Sequence, residues 1–168
     1  TVIISEWPND DNGAPIISTW RFGGVMEKIG QIPLPERGDV VYSGGSQCGI
    51  KLAIPDGASN SIFVSRCMSN TSVVIEEYEL DSDGLLIPSS RETLLTLDTG
   101  NSWGSYEHLA AEIEFGHEGD LWIFMGYGNM DNTSQDPNSP FGGVLRFTLG
   151  EDGLNPSQAN PFFQNESW

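Results

Sequence analysis

Apolar and polar residues alternate in short runs along this chain, and the runs stop at Gly, Pro, Asn or Asp. Strand-like segments recur at Thr1 to Ser5, Ile16 to Phe22, Asp39 to Tyr42, Gly49 to Ile54, Ser61 to Arg66, Ser72 to Leu80, Glu92 to Leu97, Leu109 to Phe115, Leu121 to Met125 and Gly143 to Leu149. A period of two places successive side chains on opposite faces, so this pattern predicts antiparallel strands in a sandwich, barrel or propeller. Tyr106 to Glu114 alone could pass for a helix; it is too short to stand by itself and reads as a loop followed by a strand.

Self-similarity narrows the choice. Tyr78-Glu79-Leu80-Asp81-Ser82-Asp83-Gly84 returns as Phe147-Thr148-Leu149-Gly150-Glu151-Asp152-Gly153, and Ile54-Pro55-Asp56-Gly57 with Ile62-Phe63-Val64 returns as Phe115-Gly116-His117-Glu118-Gly119 with Leu121-Trp122-Ile123. Repeats of this length, each offering about four strands, are the mark of radially arranged propeller blades. The expected fold is all-β: two to three antiparallel blades forming an incomplete ring. The expected division is a poorly defined β segment over 1–47, a first clear blade over 48–107, and a second blade over 108–168 with a polar insertion over 126–140. Too few blades to close a ring leave apolar faces and strand edges bare. The expected partners are therefore the remaining blades, from the same parent chain or from other chains.

Composition supports this picture and removes other function classes. The 168 residues carry 20 Gly and 10 Pro, which disfavours a helical bundle. Asp and Glu number 24 against 7 Lys and Arg, a formal charge of −17 that repels phosphate backbones and anionic lipid heads. Neither a nucleic-acid partner nor membrane insertion is expected. The chain opens at Thr1 with no basic and apolar leader, as a mature secreted protein or a piece of a longer chain does.

Cys48 and Cys67 flank the predicted hairpin. A register symmetric about Asp56-Gly57-Ala58-Ser59 makes paired positions sum to 115 and sets the two cysteines directly opposite, at a spacing of about 4.5 to 5.5 Å that a disulfide accepts. A disulfide is the expectation, and with it a periplasmic or extracellular location.

The order of residues from His108 to Phe162 carries the chemistry. Phe115-Gly116, Leu121-Trp122, Gly126-Tyr127-Gly128, Gln135-Asp136-Pro137-Asn138-Ser139, Arg146, Asp152-Gly153 and Asn160-Pro161-Phe162 follow His108 in turn. This order resembles the glucose/sorbosone dehydrogenase family, soluble β-propeller enzymes dependent on pyrroloquinoline quinone (PQQ). The resemblance implies part of a dehydrogenase that oxidises an aldose or polyol hydroxyl, with His108 as the base taking the hydroxyl proton while hydride passes to the quinone. An imidazole with an ordinary pKa near 6.5 is mostly free base at neutral pH and suits that task.

Two positions depart from the family pattern. Leu109-Ala110-Ala111 stands for Asn-Gly-Gly, and Tyr127 stands for the Asp of Gly-Asp-Gly, where the family resembles a His and carboxylate pair. A phenol hydrogen-bonds an imidazole but is neutral at pH 7, so it does not stabilise an imidazolium as a carboxylate does. Asp120 and Asp131 are candidates to replace that carboxylate. The second reading is therefore a non-catalytic propeller segment used in binding or assembly. A third is a free-standing acidic sandwich that binds glycans.

Trp103, in a Gly- and Ser-rich loop near His108, and Tyr127 are the candidate sugar-binding residues. The quinone is a tricarboxylate, held in the family by basic and amide side chains of later blades. Here Arg21, Arg37, Arg66, Arg91 and Arg146 are present, so the chain supplies at most one wall of such a pocket. Asn129, Asp131, Thr133 and Gln135 have the alternate spacing that opens a calcium loop, without its Gly at position six or Glu at position twelve. Calcium is a candidate ligand there, against a solvated polar loop.

Overall fold

A computed structural model describes residues 1–6, 16–33, 50–57, 59–67, 72–98, 111–127, 136, 139–150 and 152–160. Among them are eleven strands: β1 (Val2–Glu6), β2 (Ile16–Phe22), β3 (Met26–Pro33), β4 (Lys51–Ala53), β5 (Ser61–Cys67), β6 (Ser72–Glu79), β7 (Glu92–Asp98), β8 (Ala111–Phe115), β9 (Leu121–Met125), β10 (Val144–Gly150) and β11 (Gly153–Pro156). One 3-10 turn, Pro88–Ser90, is the sole helical element described. The strands form three antiparallel sheets in the orders β1-β2-β3, β4-β5-β6-β7 and β11-β10-β9-β8. The repeat legible in the sequence is thus real: β4 to β7 and β8 to β11 are two copies of one four-stranded meander.

Local chemistry accounts for the elements. In the turn after β6, Asp81 Oδ1 accepts from the N–H groups of Asp83 (2.9 Å) and Leu85 (2.8 Å), and Gly84 adopts φ +79°. This Asx turn leads into the Leu80–Leu86 bridge; its counterpart, with Gly153 at φ +99°, leads directly into β11. Pattern reading missed two strands. β3 contains Gly30 and ends at Pro33, yet pairs with β2 from Ile16 to Phe22 because the Gly23-Gly24 turn folds it back, with a bulge at Thr19/Trp20. β11 is four residues of Gly-Leu-Asn-Pro that pair with Phe147 to Gly150. Its Pro156 is acceptable because the strand lies at the sheet edge.

The predicted β4/β5 hairpin exists with a shifted register. Lys51 pairs with Ser65, Leu52 with Val64 and Ala53 with Phe63, so paired positions sum to 116 and not 115. The connection, residues 54–60, has an odd length, which moves the symmetry centre by half a residue. Direct opposition of positions 48 and 67 therefore does not follow. Cys67 is fully buried, and no free cysteine occurs among the described residues. Cys48 lies outside them, as does the predicted strand Asp39 to Tyr42.

The sheets stack face to face, with β1 beside β4, β4 beside β8, and β7 beside β11. First strand thus meets first strand and last meets last, the radial order of consecutive blades. Sheet β4–β7 is covered on both sides, which is why β5 and β6 are buried almost without interruption. Its odd-numbered face, with Phe63, Cys67, Val73 and Ile75, packs on Ile113, Leu121, Ile123, Leu145 and Phe147 of β8–β10. Phe63 and Phe115 meet edge to face across this contact, ring centroids 4.9 Å apart. Its even-numbered face, with Ile62, Val64 and Tyr78, packs with Ile17 of β2. The outward face of β8–β10 is uncovered, exposing Phe124 and Val144.

Candidate functional site

Few of the residues singled out in the sequence can be placed. His108, Trp103, Asn129, Asp131, Thr133, Gln135 and Cys48 lie outside the described residues. Tyr127 is placed one residue beyond Gly126, past the end of β9, and is partly exposed. The backbone pins the root of the insertion there: Met125 N–H donates to Gly143 O (2.9 Å) and Gly142 N–H to Gly126 O (3.0 Å). Phe141 is buried in the sheet-to-sheet core beneath this root. Tyr127 thus directly follows a residue, Gly126, that is hydrogen-bonded to Gly142 just before β10. Among the described residues no three His, Cys, Asp or Glu side chains are grouped to hold a metal.

Arg146 holds the opposite end of this sheet together. Its Nε donates to Asp120 Oδ2 and its Nη2 to Glu118 Oε2 (2.8 Å), while the guanidinium carbon lies 5.0 Å from the centre of the Trp122 ring. Partial burial disfavours its charge, but hydrogen bonds and charge from Asp120, and then from Glu118, outweigh this and hold its pKa above the ordinary value. The Arg146 carbonyl accepts from Asn160 Nδ2 and Ser157 N–H, both at 2.9 Å. Gly116 lets the indole approach, since a Cβ there would sit 2.7 Å from Trp122 Nε1. An open cavity of about 710 Å³ borders this cluster, lined also by Thr148, Asn155 and Gln158. Asp120, a candidate imidazole partner from its sequence position, is paired through Oδ2 with Arg146.

A second charged cluster was not foreseen. Arg66 of β5 and Glu76 of β6, with side chains 0% and 1% exposed, form a two-pronged ion pair: Nε to Oε2 at 2.8 Å and Nη2 to Oε1 at 2.9 Å. Tyr78 donates its hydroxyl to Glu76 Oε2 (3.1 Å), and Arg91 Nε lies 3.4 Å from Oε1. Burial first, then the charge of Glu76 and the hydrogen bond to it, push the Tyr78 phenol well above its ordinary pKa. The signal was present: Arg66 continues the inward alternation of Ile62 and Val64, and Glu76 stands in the apolar run of β6.

These pairings test the fit to a tricarboxylate. Arg21 pairs with Asp83, Arg66 and Arg91 with Glu76, Arg146 with Asp120 and Glu118, and Lys51 with Glu112 at 2.6 Å. Each of the four described arginines thus contacts a carboxylate of the chain itself, Arg66 and Arg91 sharing that of Glu76. None of these four arginines is therefore without a carboxylate partner in the chain, with which a carboxylate of PQQ would compete.

Three radially stacked antiparallel sheets, two of them copies of one four-stranded meander, are blades of a β-propeller, and the described residues do not close a ring. Solved structures agree. Residues covering 98% of this chain superpose on 45% of an oxidoreductase of Thermus thermophilus described as a glucose dehydrogenase, with TM-score 0.65 and 19% identity. The PQQ-bound aldose sugar dehydrogenase of Streptomyces coelicolor matches over 90% of this chain and 42% of its own (TM-score 0.56, 22% identity). The apo form of the soluble aldose sugar dehydrogenase of Escherichia coli matches over 97% and 47% (TM-score 0.56, 20% identity). The chain spans less than half the length of the proteins it matches and shares the fold of that part. No protein-family model matches the sequence, and no curated protein does.

Proposed function

We propose that this chain is a run of blades from a longer sugar or polyol dehydrogenase-like propeller, with His108 accepting the proton of a sugar hydroxyl. The supporting observation is the superposition of nearly the whole chain on nearly half of several sugar dehydrogenases. Tyr127 and Trp103 are the side chains proposed to meet the sugar. PQQ is the proposed cofactor of the whole protein, with its anchors supplied outside the described residues. Calcium is proposed for Asn129, Asp131, Thr133 and Gln135. The blade limits 48–107 and 108–168 follow the repeat.

The partner of this chain is the next blade, seated on the outward face of β8–β10. Trp122 and Phe124 there are the counterparts of Phe63 and Ser65, which sheet β8–β11 covers in the preceding copy. A Cys48–Cys67 disulfide is proposed because Cys67 is not free, and it favours a periplasmic or extracellular location. No described helix is long and apolar enough to cross a membrane.

The test is dye-linked oxidation of a panel of sugars by the parent polypeptide with PQQ and calcium added. His108→Gln should lower kcat/KM by about 100-fold or more. Tyr127 in place of a carboxylate, together with the paired arginines, favours one second reading, a binding or assembly propeller without catalysis. No turnover from a folded, quinone-treated parent protein would select it.

A further inference from the structure

The two copies of the meander present equivalent faces with opposite chemistry. Ile62 lies opposite Tyr78 in β5/β6 as Leu121 lies opposite Phe147 in β9/β10, and Val64 opposite Glu76 as Ile123 opposite Leu145. By the same count Arg66 is the counterpart of Met125. Sheet β8–β11 therefore meets its neighbour with Met125, Leu145 and Phe147, all in one apolar core. Sheet β4–β7 turns Arg66, Glu76 and Tyr78 toward β1–β3.

We propose that this network makes the contact between β1–β3 and β4–β7 a weak seam, so that β1–β3 opens as a unit while β4–β11 stays closed. Among the described residues, the partners of Glu76, namely Arg66, Tyr78 and Arg91, all come from the β5 to β7 segment itself. The pair therefore needs no residue of β1–β3 to form and gains none of these bonds by docking, yet docking strips its water. Removing water from paired charges is costly, and a bond already made does not offset it. Among the described residues Arg66 Nη1 is buried without a hydrogen-bond partner, so one donor gives up water with no bond in return.

The apolar gain on that side, counted over the described residues, is small as well. Among the described residues, β1–β3 give one fully buried side chain, Ile17, to the shared core, with Ile3 and Ile32 partly buried against it. On the other side Ala111, Ile113, Leu121, Ile123, Met125, Leu145 and Phe147 are all buried. The seam does not depend on any catalytic role for the protein.

Native-state amide exchange on the polypeptide as its source makes it tests this directly. β2 and β9 are both central strands with hydrogen-bonded neighbours on each side, so their amides are comparable. Protection in β2 should be at least about tenfold below that in β9. The triple variant Arg66→Met, Glu76→Leu, Tyr78→Phe, which installs the counterpart residues, should raise β2 protection by about tenfold or more and leave β9 unchanged. Equal protection of β2 and β9 in the wild type overturns the proposal. So does a folded variant with lower β2 protection, or a variant that cannot fold, because either makes the network a net contributor to docking.

Discussion

Glu76 is the residue on which the buried charge balance turns. Its carboxylate faces Arg66, Arg91 and the Tyr78 hydroxyl. Glu76→Leu alone should cost about 3–5 kcal/mol in chemical denaturation, because Arg66 is left buried without a counter-charge. The triple apolar variant should recover most of that loss, a non-additivity read by comparing it with the sum of its three single variants. Tyr78 adds a pH dependence. Its raised folded pKa means the native state keeps a proton that the unfolded chain releases, so this contribution is complete below the ordinary phenol value of about 10 and is lost as pH rises further. Denaturant midpoints measured above pH 10 should fall more steeply for wild type than for Tyr78→Phe.

At the scale of single elements, turns decide more than strand propensity does. Gly119, at φ +82°, closes the β8/β9 hairpin, with Gly119 N–H donating to Gly116 O (2.9 Å) and Gly116 N–H to Asp120 O (2.8 Å). Gly119→Ala forces a side chain into the left-handed region and should cost about 1–2 kcal/mol of stability, measured by thermal or urea unfolding. The long alternating strands β2, β5, β6, β9 and β10 were legible because each buries at least one apolar face. β3 and β11 were not, since their residues have little strand preference and join the sheet only because a glycine turn returns the chain to a stronger neighbour. The cysteine register failed for a related reason. One residue more or less in the connection at 54–60 shifts every cross-strand partner, and composition does not count that residue.

The whole chain has the shape of an interrupted series. Its third sheet exposes Phe124 and Val144 on a face whose counterpart one repeat earlier is buried. Prepared as an isolated 168-residue chain, the protein should self-associate with rising concentration in sedimentation velocity. Phe124→Lys with Val144→Lys should shift it toward monomer, because two charges on that face oppose any apolar partner. In a polypeptide that supplies the proposed next blade, the same pair of substitutions should destabilise the fold, because that blade would cover the face. Intact mass of the source protein well above 18.3 kDa accompanies that outcome.

What the amino-acid order determined by itself is the class of structure: alternation marks the strands, glycine and aspartate mark the turns, and the returning motifs mark blades of one design. These are local signals, set by which face of a few residues is apolar and by which backbone angles a turn requires. The same order marked Tyr127 in place of a carboxylate. Only the folded molecule decided which charges meet. Arg146 clamps Asp120 and Glu118, and Arg66 meets Glu76 between two sheets. Such pairs join residues 10 to 28 positions apart, and the burial of Arg66 with Glu76 depends on a second sheet arriving from elsewhere in the chain, which no local pattern encodes.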